Sequence, residues 1–458
     1  MIAGKSFYDK LPLWTQTLAV NLVSADNFRG KYGPIFHRAL SRLADNERKS
    51  KDQLLEEQNH QLHSILKYAH THVPYYRRLG LSPDNFQEWP ILDKQLVASR
   101  PDDFVSDEFR HEELMTLKTS GTTGTPLQVR VSKIYHQMEM AFRWRHRAWG
   151  GVPYLSRAAY VSGHAVVPAA QLRGPFWRVG HVEKRLLCSA CHLSPGNLPG
   201  YIDALRRYAA DFVHGYPSSL YVLAQFMLEH DVHEVRPRAV FTASETLLDF
   251  QRATIQKAFG AKVFNWYGNT EMACNIVECE ASSLHYRTDY GLLEILEDGA
   301  MVCTGLNNCA MPLIRYRVGD VAVKREGLCA CGRAFPLVER VEGRIEDYVV
   351  TPEGRRIGRL DQVFKDTQHI REAQLVQKQV DELIIRIVKI EGFSSEDERV
   401  ILAEARRLLG DSIQIRFDYV NHIPRTSGGK FRFIASSLSQ TTAHDSLCDP
   451  ASSYSSRR

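Results

Sequence analysis

Thr119, Ser120, Gly121, Thr122, Thr123, Gly124 and Thr125 put five hydroxyl side chains and two glycines into one short run that ends at Pro126. Apolar stretches at 114–117 and 127–131 flank it, so it reads as a loop between two strands. Glycines let backbone N–H groups approach a polyphosphate closely, and Ser and Thr hydroxyls add further donors. The Gly-Lys-Ser/Thr ending of a Walker loop is missing, and a polar surface turn has a similar composition.

Four other segments carry groups suited to the same chemistry. In Phe264-Asn265-Trp266-Tyr267-Gly268-Asn269-Thr270-Glu271 an apolar strand runs out into polar residues and ends on a carboxylate. Ligands of open α/β sheets bind beyond strand C-termini, where Glu271 could hold Mg²⁺ or simply be solvated. Tyr267 could cover a purine face. Asp320 follows Gly319 in what reads as a turn between two extended segments, where it could accept from ribose hydroxyls or order the turn. Gly343, Arg344, Ile345, Glu346 and Asp347 suit an exposed hinge or an ordinary linker. Pro424-Arg425-Thr426-Ser427-Gly428-Gly429-Lys430 is a glycine-rich loop presenting one lysine, able to neutralise phosphate and carboxylate charge.

The chain has nine cysteines at irregular spacing. An odd number in a large chain argues for thiols or metal ligands rather than a disulfide framework. Cys329 and Cys331, followed by Gly332, resemble a metal knuckle, and Cys279 with His285 upstream would complete a Cys₃His zinc set. Cys-Xaa-Cys is shorter than the common spacing, and buried free cysteines are frequent. Cys188 and Cys191 read as core or pocket lining.

The elements that must position these groups alternate. Leu62, Ile65, Leu66 and Ala69 mark an amphipathic helix over 54–69. Helices are expected over 132–149, capped by Ser132, and over 220–229 and 249–259; strands are expected over 239–242 and 262–267. Extended segments near 291–296, 313–317 and 320–324 suggest a β-rich subdomain. Beyond Gly343, a hairpin (374–380 and 383–390), a helix over 395–409 with Ser395 and Glu398 as its capping box, and a strand over 412–420 form a compact α+β unit. The expected class is α/β: a large domain over 1–343 with a β-rich subdomain, a small mobile α+β domain over 344–435, and a disordered tail over 436–458.

At 458 residues, 44% hydrophobic and 24% charged, the composition is that of an ordinary globular protein with room for two cores. A net charge of +5 is mild. No apolar run reaches the length of a membrane span, and the patch over 14–23 is broken by Gln16, Thr17 and Asn21 without a signal-peptide core, so a cytoplasmic location is expected. A zinc-dependent nucleic-acid-binding protein is disfavoured, because no basic stripe with interleaved aromatics accompanies the cysteines.

Taken together and in this order, the segments resemble the adenylate-forming superfamily of acyl-CoA synthetases from about residue 54 to residue 433. Residues 73–77, 214–218 and 243–246 are similar to its phenylacetate–CoA ligase branch, especially members encoded with capsular and exopolysaccharide genes. The resemblance implies that Thr119, Ser120, Gly121, Thr122, Thr123 and Gly124 bind the phosphates of ATP. It implies that Ser244, Glu245, Tyr267 and Gly268 contact the nucleotide, that Asp320 and Arg344 hold the ribose, and that Thr270, Glu271 (through Mg²⁺) and Lys430 are catalytic. Tyr216 and Pro217 would line the pocket of a small carboxylic acid, and Glu346 would be the hinge. The acceptor would be the thiol of CoA, or an amine or hydroxyl. The resemblance also favours zinc on Cys279, His285, Cys329 and Cys331. The chain departs from the family at 348–351, after the hinge.

Overall fold

The computed structural model describes all residues except 1–4, 119–126, 164, 165, 169, 170, 345–348, 355, 358, 359, 365, 366, 368, 426–430, 437 and 439–458. It divides into two compact units, Met1–Arg344 with Arg425–Phe431, and Ile345–Pro424 with Arg432–Arg458.

A 12-stranded sheet organises the larger unit. From one edge to the other, its strands are Gly291–Ile295, Ala300–Gly305, Tyr316–Arg325, Leu337–Arg344, Leu284–Tyr286, Asn275–Glu278, Lys262–Gly268, Ala239–Ala243, Phe212–Gly215, Ala158–Ser162, Arg185–Ser189 and Trp177–Gly180. The strands from Lys262–Gly268 to Arg185–Ser189 are parallel; the remaining pairings are antiparallel. Parallel strands buried on both faces read as near-continuous apolar runs, as Ala239-Val240-Phe241 does.

Successive side chains of a strand point to opposite faces. Ala159, Val161, Val213, Val240 and Val263 therefore enter one core, with the helices Leu198–Tyr208, Pro217–Glu229 and Asp249–Phe259. Ala158, Tyr160, Phe212, Phe241 and Phe264 enter the other, with the helices Pro34–Asn46 and Lys133–Trp149. Phe241 and Phe264 stack with ring centroids 5.4 Å apart. Truncating either to Ala would cost about 3–5 kcal/mol. Ser132 caps Lys133–Trp149, its Oγ accepting from Tyr135 N at 3.2 Å. The early helix is longer than its apolar spacing indicates, Lys51–His72, because Ser50 and Gln53 form a capping box ahead of it.

In the smaller unit, Gln414–Tyr419, Glu382–Lys389, Ile370–Gln379 and Ile434–Ser436 form a four-stranded sheet. The helix Ser395–Leu409 buries Ile401, Ala405 and Leu409 against Leu375, Ile385 and Ile387.

Two local expectations are corrected. Asp320 is not in a turn: Tyr316–Arg325 is one continuous strand, and Gly319, at φ 84°, lies where the register against Ala300–Gly305 shifts. The glycine makes a β-bulge, which bends a strand without ending it. The capping box of Ser395–Leu409 is Ser394 with Asp397, not Ser395 with Glu398, because Asp397 Oδ2 accepts from Ser394 N at 2.9 Å and from Ser394 Oγ at 3.0 Å.

Candidate functional site

Three neighbouring parallel strands end side by side. Gly215 is paired with Thr242, and Ala243 with Trp266, so Tyr216, Ser244 and Tyr267 fall together at the C-terminal edge of the sheet. Tyr216 is the N-cap of the helix Pro217–Glu229, with Pro217 buried at its first position, where a missing N–H costs nothing. Burial pushes the Tyr216 phenol above its ordinary pKa, so it stays neutral. Ser244 is exposed and adopts φ 72°, a left-handed conformation unusual outside glycine. That turn sends Glu245 back toward the next helix, and its Oε2 accepts from Ser218 N at 3.1 Å. Its Oε1 accepts from Phe431 N at 2.6 Å within the same unit. Burial holds the Glu245 carboxyl above its usual range.

Beyond Gly268, Asn269 Oδ1 accepts from Ala273 N at 3.0 Å and Cys274 N at 3.3 Å, closing the turn that carries Thr270 and Glu271. Tyr316 Oη donates to Glu271 Oε1 at 3.2 Å. Tyr267 Oη donates to Asp320 Oδ2 at 2.5 Å, joining the parallel half of the sheet to the bulged antiparallel strand. Burial and the adjacent Asp320 carboxylate raise the Tyr267 pKa well above its ordinary value, so it remains a donor. Asp320 and Arg344 are direct cross-strand partners.

The structure thus gathers Tyr216, Pro217, Ser244, Glu245, Tyr267, Gly268, Thr270, Glu271 and Asp320 within one unit, with the Arg344 backbone beside Asp320. Thr119, Ser120, Gly121, Thr122, Thr123, Gly124, Glu346 and Lys430 lie outside the described residues, as does most of the expected tail. Sequence reasoning missed Tyr316, Ser218 and Asn269. Tyr316 stands four residues before Asp320, but nothing local signals that its hydroxyl reaches Glu271.

The cysteine set lies apart, in two adjacent hairpin turns. Cys279 follows Asn275–Glu278, and its N–H bonds Ser283 O at 3.0 Å as the chain reverses into Leu284–Tyr286, which carries His285. Cys329 and Cys331 sit in the turn between Tyr316–Arg325 and Leu337–Arg344, where Gly332 adopts φ 78°. The four ligand atoms all lie within 4.8 Å of one another, with Cys279 Sγ 3.6 Å from Cys329 Sγ and Cys331 Sγ 3.3 Å from His285 Nε2. Tetrahedral zinc–thiolate bonds of about 2.3 Å place sulfurs roughly 3.8 Å apart, so the donors fit zinc in spacing and in chemistry. His285 Nδ1 lies 3.0 Å from Phe335 O; donation to that carbonyl turns Nε2 toward the sulfurs. Burial lowers the His285 pKa and pushes the Cys279 thiol up to about 12.

Parallel strands presenting polar groups past their C-termini, an antiparallel extension and a small α+β unit are similar in fold to acyl-CoA ligases of the adenylate-forming superfamily. A 2-hydroxyisobutyryl-CoA ligase, solved in the postadenylation state with an acyl-AMP, shares this fold at a TM-score of 0.65, with 19% identity over 84% of this chain and 90% of that one. The chain is homologous to Protein CapK of Staphylococcus aureus, at 24% identity over 94% of this chain and 99% of that protein. It is homologous too to the phenylacetate-coenzyme A ligases of Thermus thermophilus (24% identity; 64% of this chain, 71% of that one) and Pseudomonas putida (25%; 69% and 76%). Residues 349–437 match the CapK C-terminal domain family.

Proposed function

We propose that this chain is an ATP-dependent, AMP-forming acid–CoA ligase. The observation that carries the reading is the convergence of Ser244, Tyr267, Glu271 and Asp320 on one sheet edge, with the Tyr267–Asp320 bond at its centre, in a chain homologous to phenylacetate-coenzyme A ligases. A carboxylate oxygen of the acid attacks the α-phosphorus of ATP, the bond to the β-phosphate oxygen breaks, and pyrophosphate leaves. The CoA sulfur then attacks the acyl carbonyl, AMP departs, and the thiol proton passes to solvent.

The adenylation step is limited by charge, since a carboxylate must approach an anionic triphosphate. Asp320 and Arg344 hold the ribose, Tyr267 orients Asp320 and covers the purine, and Ser244 and Glu245 shape the nucleotide wall. Residues 119–124 hold the phosphates, and Lys430 neutralises the pentavalent α-phosphate. Glu271, oriented by Tyr316, would hold Mg²⁺, which supplies further neutralisation of the phosphate oxygens. Tyr216 and Pro217 lie on the acid's side. The smaller unit is the domain that reorients between half-reactions about Glu346. The Cys279, His285, Cys329 and Cys331 set binds a structural zinc, since four protein donors leave no open position for substrate.

Transfer to an amine or hydroxyl is the second reading. It rests on the resemblance to ligases encoded with capsular and exopolysaccharide genes, together with the match of residues 349–437 to the CapK C-terminal domain. ATP–pyrophosphate exchange across a panel of carboxylic acids tests the shared first step, and absence of exchange with every acid would overturn both readings. Once an acid is found, CoA-dependent AMP release separates the two.

A further inference from the structure

We propose that a second copy of this chain docks on the outward face of the helix Leu13–Lys31, forming a two-fold dimer centred on Leu18. The helix turns polar side chains inward and apolar ones outward. Its inward face buries Gln16, Val20 and Ser24 near the edge strand Trp177–Gly180, where Asn21 Nδ2 donates to Val179 O at 2.9 Å and Asn21 Oδ1 accepts from His181 N at 2.6 Å. Arg178 Nε donates to Gln16 Oε1 at 3.1 Å, so the helix is anchored on its inner side. The outer face carries Trp14, Leu18 and Leu22, 71%, 52% and 64% exposed, and Phe7 just before the helix is 72% exposed. Residues four apart lie on one helix face, so these side chains form a stripe rather than scattered apolar surface.

The stripe is complementary to itself. An antiparallel pair crossing at Leu18 sets Leu18 on its own copy and Trp14 against the second copy's Leu22, in both directions at once, as a two-fold interface requires. The flanking charges obey the same symmetry. Asp26, eight residues past Leu18, comes to the N-terminal end of the second copy's helix, where the exposed Lys10 lies in the turn ahead of Leu13. Antiparallel helices also align the acidic Asp26 with the positive N-terminal end of its neighbour.

Charge also decides against a lipid surface as the occupant. Interfacial helices carry an excess of Lys and Arg beside the apolar face. Here Lys10 and Arg29 are balanced by Asp9 and Asp26, and Lys31 pairs with Glu183 at 2.9 Å.

Sedimentation equilibrium of the full chain over a concentration series tests the proposal. The wild type should dimerise, and Leu18→Glu, which sets two carboxylates against each other at the axis, should weaken dimerisation by at least about 30-fold. Its melting temperature, compared at a concentration where both proteins are monomeric, should not change, because Leu18 is on the exposed face. Lys10→Glu and Asp26→Lys should each weaken the dimer, and the two together should restore most of it. A wild type that stays monomeric, or a dimer indifferent to Leu18→Glu, overturns the proposal. So does a monomer that co-sediments with phosphatidylcholine–phosphatidylglycerol vesicles through the same residues, which would assign the stripe to lipid.

Discussion

Replacing Tyr267 with Phe tests the centre of the proposed nucleotide site, because the change deletes one oxygen and keeps the ring. That oxygen donates to Asp320 Oδ2 at 2.5 Å. A hydrogen bond to a charged acceptor contributes about 1.5–3 kcal/mol. Tyr267 and Asp320 are both only half-buried, so solvent recovers part of the loss and the lower end applies. At about 1.4 kcal/mol per decade, ATP affinity should fall roughly tenfold. Titration calorimetry with ATP and Mg²⁺ measures this without knowledge of the acid. If Tyr267 acts by orienting Asp320 for the ribose, Asp320→Asn should weaken binding further, and the double variant should bind no worse than Asp320→Asn alone. Binding by Tyr267→Phe at wild-type strength would refute the reasoning. Losses that add in the double variant would refute it as well, since they would mean that the two residues act separately.

Other consequences follow from the same geometry. Purified protein should carry close to one equivalent of zinc, and Cys331→Ser should lower both metal content and melting temperature; full retention of both would remove the zinc assignment. Lys430→Ala should slow pyrophosphate exchange by about 10²–10³-fold while still consuming supplied acyl-adenylate with CoA, and wild-type exchange would leave Lys430 without a role in adenylation. Burial lowers His146 to about 3 and His136 to about 4. Both stay neutral in the fold while an unfolded chain takes up protons below about pH 6.5, so stability present above that pH is lost as pH falls, at up to about 1.4 kcal/mol per unit for each. His146→Phe should flatten the acid slope of the melting temperature between about pH 6.5 and about pH 4, and an unchanged slope would show that His146 does not contribute to it.

Sequence reasoning succeeded where a local pattern has one structural meaning. The apolar run of Ala239–Ala243 could only be a buried strand, and the polar exit of Lys262–Gly268 into Asn269, Thr270 and Glu271 marked a strand end. It failed where one local pattern has two. Gly319 before Asp320 signals a turn or a bulge equally, and the pairing with Ala300–Gly305, set from elsewhere in the chain, made it a bulge. Ser394 and Ser395 each precede an acidic residue by three positions. The choice fell to Asp397, which also faces His369 Nδ1 at 3.1 Å across the small unit, a contact with no trace in the local sequence.

The N-terminal helix illustrates the same limit in reverse. Gln16, Thr17 and Asn21 look like interruptions of an apolar patch, and they weaken it as a membrane or signal segment. In the fold Gln16 and Asn21 are the gripping residues, bonded to Arg178, Val179 and His181, while Trp14, Leu18 and Leu22 face outward. Amphipathicity read from sequence assumes that polar means solvent. A helix whose polar side chains satisfy the ends of a neighbouring strand inverts that assumption and leaves its apolar side to be covered by something else. The inversion, more than the hydrophobicity of any one residue, is the reason to expect a partner at Leu18.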